Sequence, residues 1–185
     1  MTNMDWKTLS SEYLVQRPWL SARCDKVQLP DGRILDEWYV LEYPDWVNIV
    51  AVTKDGDIVL ERQYRHGIGK TSFEIVAGTV EKGEEPLDAA KRELLEETGY
   101  SGGTWSELMT LSPNATSMNN MTHCFLAVGV ERVAEQHLDP GEDIEVYLKS
   151  KKEVFEMLER GEFIQSLMVA PLYRYFMSLT KKPEW

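Results

Sequence analysis

Glu93, Glu96 and Glu97 stand at i, i+3 and i+4 within the segment GTVEKGEEPLDAAKRELLEETGY, which runs from Gly78 to Tyr100. At roughly 100° per residue, carboxylates so spaced project from one side of a helix. Like charges at that spacing destabilise the helix unless something neutralises them. A hard divalent cation is the natural neutraliser, because Mg²⁺ takes oxygen ligands and commonly bridges carboxylates to substrate phosphates. A string of glutamates is also the ordinary composition of a solvated helix face. The residues around the string therefore decide its meaning.

Those residues form an element with a start, a buried face and a stop. Pro86 suits a first helical position, Leu87, Ala90 and Leu94 recur on one face, and Gly99 follows Thr98 where a left-handed C-terminal stop belongs. Glu84 can pair with Arg92 and hold the preceding loop to the helix, and Gly78 lets that loop approach closely. Upstream, residues 19–29 and 34–43 read as extended segments around the turn Pro30-Asp31-Gly32. Residues 46–52 and 58–65 read as a second hairpin around Lys54-Asp55-Gly56-Asp57, and 72–76 as a short strand. Further strands are expected at 104–111, 121–130 and 144–148, with closing helices at 152–160 and 164–178, the last kinked or shortened by Pro171. This order implies an α/β (α+β) fold, a mixed β-sheet sandwiched between helices. Residues 1–43 form an N-terminal antiparallel β-hairpin arm, and 44–185 the main domain.

The chain has 185 residues, 43% of them hydrophobic, and a formal charge of −11. That charge disfavours a polymeric nucleic-acid partner, whose phosphates are held by clustered Lys and Arg. It leaves room for a small anionic substrate, since a bound metal can reverse the field within one pocket. Cys24 and Cys124 have neither disulfide-framework nor zinc-site spacing. Charged residues interrupt the N-terminal apolar stretch, and no run of about 18 apolar residues occurs, so a cytoplasmic protein without a membrane span is expected.

Gly78, Glu84, Arg92, Glu93, Leu94, Glu96, Glu97, Gly99 and Tyr100 meet the pattern G-x5-E-x7-R-E-U-x-E-E-x-G-U, with U a bulky apolar residue, at every specified position. This is the signature of Nudix hydrolases, which the chain resembles. The preceding stretch QYRHGIGKTSFEIVAG is similar to that of ADP-ribose and related nucleotide-sugar pyrophosphatases, with Gln63, Arg65, Glu74, Ala77 and Gly78 in place and Val76 where proline is usual. The resemblance implies a Nudix-type fold and Mg²⁺-dependent hydrolysis, Mn²⁺ being the alternative ion. It implies Glu93, Glu96, Glu97 and the Ala77 carbonyl as metal ligands, with Arg65 and Glu74 on the substrate. For Arg65, a surface ion pair is the equally weighted structural alternative. Pro113, in LSPNATSMNN, resembles the proline that marks the ADP-ribose subgroup.

The substrate implied is a nucleoside-diphosphate sugar, with ADP-ribose cut to AMP and ribose 5-phosphate as the first choice. The alternatives are a sensor that binds without hydrolysis and a Nudix enzyme acting on another nucleotide. The arm resembles that of dimeric ADP-ribose pyrophosphatases, which implies a homodimer with Trp19 or Arg23 near the partner's substrate. In LDPGEDIEVYL, Glu142 is the first candidate for the base that activates water, ahead of Asp139, Asp143 and Glu145 and alongside the box residues Glu93 and Glu96. Pro140-Gly141 marks a flexible turn there.

Overall fold

A computed structural model describes residues 3–18 and 20–180, so Trp19 lies outside the described residues. The chain divides into two units, Met1–Pro44 with Ser112–Met121, and Asp45–Leu111 with Thr122–Trp185.

The first unit is an antiparallel sheet of β1 (Lys7–Arg17), β2 (Leu20–Gln28) and β3 (Ile34–Glu42), in that order. The expected hairpin is therefore a three-stranded sheet. The additional strand, KTLSSEYLVQR, is exposed at every position, so it carries none of the apolar alternation that marks a half-buried strand. Trp6 packs edge-on against Trp38 with ring centroids 5.0 Å apart. Pro113 lies in the loop of this unit, where Leu41 exchanges backbone hydrogen bonds with Ser117 and Asn119.

The second unit is built on β4 (Trp46–Thr53), a β-branched run buried at every position after Trp46, as a strand covered on both faces requires. It pairs in parallel with β9 (Thr122–Arg132), and antiparallel with β5 (Ile58–Arg65) and β7 (Val76–Thr79). β8 (Tyr100–Leu111) and β10 (Glu145–Lys149) form the two ends of the path β10-β5-β4-β9-β8, and β6 (Lys70–Glu74) adds to β5. The single short strand expected at 72–76 is thus two strands separated at Ile75.

Alternation along β4 sorts the two cores. Val47, Ile49 and Ala51 pack with Ala89, Ala90 and Leu94 of α1 (Pro86–Thr98). Val50 and Val52 face the opposite layer, with Val154 and Leu158 of α2 (Lys151–Glu159) and Met168 and Leu172 of α3 (Ser166–Leu179). The mixed sheet is therefore sandwiched between helices, as the element order implied. Pro171 removes one backbone donor from α3, yet the helix runs through it without interruption. No helix of the described residues is long and apolar enough to cross a membrane.

α1 stops at Gly99, where φ is 74° and the N–H donates to the Leu95 carbonyl. A Cβ there would lie 2.1 Å from the Ala134 carbonyl oxygen. Gly99→Ala is expected to destabilise the protein by more than the ~1–2 kcal/mol of left-handed strain alone, because the clash is with backbone. Urea unfolding measures this, and an unchanged midpoint would refute the argument.

Candidate active site

The glutamate helix is held to the sheet by an unusually close approach. A Cβ on Gly78 would lie 2.0 Å from the Glu93 carboxyl carbon, so only glycine admits the carboxylate at that point of β7. Glu93 Oε1 then accepts the Thr79 N–H at 3.1 Å. Arg92 completes the fastening. Its Nε and Nη2 each donate to Glu84 at 3.0 Å, Nη2 also reaches the Thr79 carbonyl at 2.9 Å, and Nη1 donates to Glu93 at 2.9 Å and Glu96 at 3.1 Å. The Glu84–Arg92 pairing expected from spacing is thus part of a larger hub, and hydrogen bonding to Arg92 holds the Glu84 carboxyl below its ordinary value.

The three box glutamates do not share one environment. Glu93 and Glu97 are buried, whereas the Glu96 side chain is 40% exposed and turned to Arg92. Burial pushes the Glu93 carboxyl up, against the pull of Arg92. Glu97 is raised further, first by burial and then by the charges of Glu61, Glu93 and Glu142.

Glu61 was not anticipated as a site residue. It is fully buried on β5, and neither of its carboxylate oxygens has a hydrogen-bond partner, nor does Oε2 of Glu97. Burial is also the main cause that raises the Glu61 carboxyl. The signal was available: side chains alternate along a strand, so the residue two before Gln63 and four before Arg65 shares their face. Val59, next in that row, belongs to the core beneath α1.

Arg65 and Glu74 form one structure. Arg65 Nε donates to both Glu74 oxygens at 3.0 and 3.2 Å and Nη2 to Oε2 at 2.6 Å, while Glu74 is buried. Arg65 also lines a cleft of about 260 Å³ with Trp46, Asn48, Ala77, Gly78, Thr79, Gln165, Leu167 and Met168. The ion-pair reading of Arg65 matches this pairing, and the same residue borders the cleft. Ala77 pairs with Asn48 in the ladder of β7 on β4. Asn48 is a second residue that sequence reasoning passed over, a buried amide whose Nδ2 lies 3.1 Å from the Met168 sulfur.

Glu142 Oε2 accepts the Asp139 N–H at 2.8 Å, yet its charge is felt by both Glu61 and Glu97. Glu145 is turned instead to Arg62 and Tyr147. In the other unit, Arg23 pairs with Asp25 at 3.0 Å and with Glu42.

A divalent cation fits this donor set on one observation: the carboxylate oxygens of Glu61 and Glu97 that have no partner. Among the described residues, no three acidic, histidine or cysteine side chains are gathered closely enough to hold an ion as they stand. Glu96 would have to leave Arg92 to join such a set.

A helix whose glutamates are locked by arginine to a glycine strand, on one face of a mixed sheet, defines the Nudix domain, and the chain belongs to the Nudix hydrolases. The NUDIX domain model matches residues 43–167, and the nucleoside diphosphate sugar hydrolase N-terminal domain matches 6–41. The chain is 30% identical over 163 residues to an ADP-ribose pyrophosphatase of Bacillus subtilis, covering 88% of each chain. It is 32% identical over 173 residues to one from Mycobacterium tuberculosis, covering 92% of this chain and 83% of that one. In fold it is similar to the crystal structure of an ADP compounds hydrolase, with a TM-score of 0.81, 19% identity and 97% of both chains covered.

The raised carboxyls set the sign of a pH dependence. Glu61 and Glu97 hold protons in the native state at pH values where the unfolded chain, titrating near 4.5, has released them. Stability contributed below that value is lost as pH rises towards the native values. Glu84, shifted downwards, acts only on the acid side of this window. The metal-free protein is therefore expected to melt lower at about pH 8 than at about pH 6, and Glu61→Gln to flatten the difference. Differential scanning calorimetry in a chelator checks this; a midpoint that rises with pH would contradict it.

Proposed function

We propose that the protein hydrolyses the diphosphate linkage of a nucleoside-diphosphate sugar in a Mg²⁺-dependent reaction, with ADP-ribose, giving AMP and ribose 5-phosphate, as the first candidate. The observation that carries this reading is the set of unsatisfied buried carboxylates beside a cleft bordered by Arg65 and the Gly78–Thr79 strand. The activity named for the bacterial relatives supports the choice of substrate. Glu93, Glu96, Glu97 and the Ala77 carbonyl would hold the cation, which when bound supplies charge neutralisation at phosphate and acidifies water.

The chain's own residues supply the rest. Arg65 directs a guanidinium at the diphosphate, with Glu74 fixing its orientation. Gly78 and Arg92 hold the Glu93 carboxylate in place. Glu142 takes the proton from the attacking water as its oxygen adds to phosphorus and the P–O–P bond breaks, after the side chain exchanges the Asp139 N–H for the water. Pro113, Trp19 and Arg23 contribute to substrate recognition in this reading.

The working form is a cytoplasmic homodimer, with residues 1–43 as the pairing arm and 44–185 as the catalytic domain. Support comes from β1, which exposes Leu9, Tyr13, Leu14 and Val15. A strand exposed on both faces needs cover, and a second copy supplies it symmetrically. Both cysteines are free thiols, as in a reducing compartment.

Phosphate-product analysis on ADP-ribose, GDP-mannose, UDP-glucose, a dinucleoside polyphosphate and ATP with Mg²⁺ tests the reaction. ADP-ribose should turn over fastest, and Glu142→Gln should cut kcat by ~10²-fold or more with little change in KM. Turnover of ATP alone would replace this substrate class, and an active Glu142→Gln would return the base to the box. Light scattering should give twice the chain mass, and a fully active monomer on dilution would remove the dimer.

A further inference from the structure

Glu61 has no function in the fold that valine would not serve better. Its neighbours on the same face of the sheet include Val59 and, across the ladder from β10, Val146, and both pack into the core under α1. Directly opposite it on β6 stands Glu74, also buried. Like charges across a ladder destabilise a sheet, and a buried carboxylate without donors is costly to keep charged.

The cations of the site are already committed. Arg65 is bound in bidentate fashion by Glu74, and Arg92 is shared among Glu84, Glu93 and Glu96. Glu93 has in addition the Thr79 N–H. After these pairings, both oxygens of Glu61 and Oε2 of Glu97 remain buried without a partner. The two side chains belong to elements that share one core, Val59 of β5 packing with Ala90 and Leu94 of α1. Two carboxylates of opposed elements with open oxygens are a ligand pair of the number Mg²⁺ ordinarily takes from protein, the rest of its shell being water or phosphate.

We propose that Glu61 is a metal ligand of this enzyme and that a divalent cation binds between Glu61 and Glu97, on the sheet side of α1. This inference rests on the metal-dependent reading above and adds to it a ligand from outside the glutamate helix. The ion ties β5 to α1, so the strand carrying Arg65 and the helix carrying the box are held by one charge.

Manganese binding to chelator-treated protein, without nucleotide, tests the proposal by electron paramagnetic resonance of the free ion. Glu61→Gln, a near-isosteric change, should lose one bound equivalent or weaken Mn²⁺ affinity ~10-fold or more, with an unchanged circular dichroism spectrum. Equal stoichiometry and affinity in the two proteins would overturn it. Should Glu61→Gln not fold, anomalous diffraction from wild-type crystals soaked in Mn²⁺ decides the same point. A peak in contact with the Glu61 carboxylate is expected, and a peak at Glu93 and Glu96 alone overturns the proposal. Neither measurement uses a nucleotide, so a failed substrate panel and a failed metal assignment remain separate results.

Discussion

One guanidinium organises this site. Arg92 joins the loop glutamate Glu84, the strand carbonyl of Thr79 and the helix glutamates Glu93 and Glu96. The four partners come from three parts of the local chain, so loop, strand and helix cannot move independently without exposing a charge. The planar fork of arginine suits this task; a lysine could neutralise but not hold four partners in fixed directions. Gly78 is the steric counterpart of that hub, since the strand must come within contact of the Glu93 carboxylate for Thr79 to donate to it.

The sheet beneath serves two purposes through one rule. Alternation places Val47, Ile49 and Ala51 under the glutamate helix and Val50 and Val52 under the other two. The same rule on β5 places Glu61, Gln63 and Arg65 in a row that begins at Val59 in the core and ends at the cleft. A strand that starts as scaffold thus reaches the cleft within its own length. The polarity gradient along β5 is what brings carboxylates from the helix and a guanidinium from the sheet into one region.

The glutamate helix was legible almost to the residue because several local devices agreed on it: a proline start, an apolar face, a glycine stop. Its pairing with the loop through Glu84 and Arg92 followed from side-chain chemistry at short separation. β1 was not legible, because a strand exposed on every position has no inside and outside to alternate. Glu61 was missed for a related reason. In IVLERQYR the run of charges suggests a strand leaving the core, and only the facing helix, which begins 25 positions later in the chain, makes Glu61 an interior residue. The division of the three box glutamates, two buried and one turned to arginine, depends on the tilt of the helix against the sheet, which periodicity does not contain.

The ion pair of Arg65 with Glu74 has a kinetic consequence. Under the reaction proposed, a diphosphate arriving before the ion would meet a guanidinium already paired with the Glu74 carboxylate, among other acidic side chains. Under the proposed reaction, attraction appears only after a divalent ion has offset those carboxylates. Addition is then compulsory in order, ion before nucleotide, and the occupancy of the site by substrate is governed by the supply of the ion as much as by that of the nucleotide.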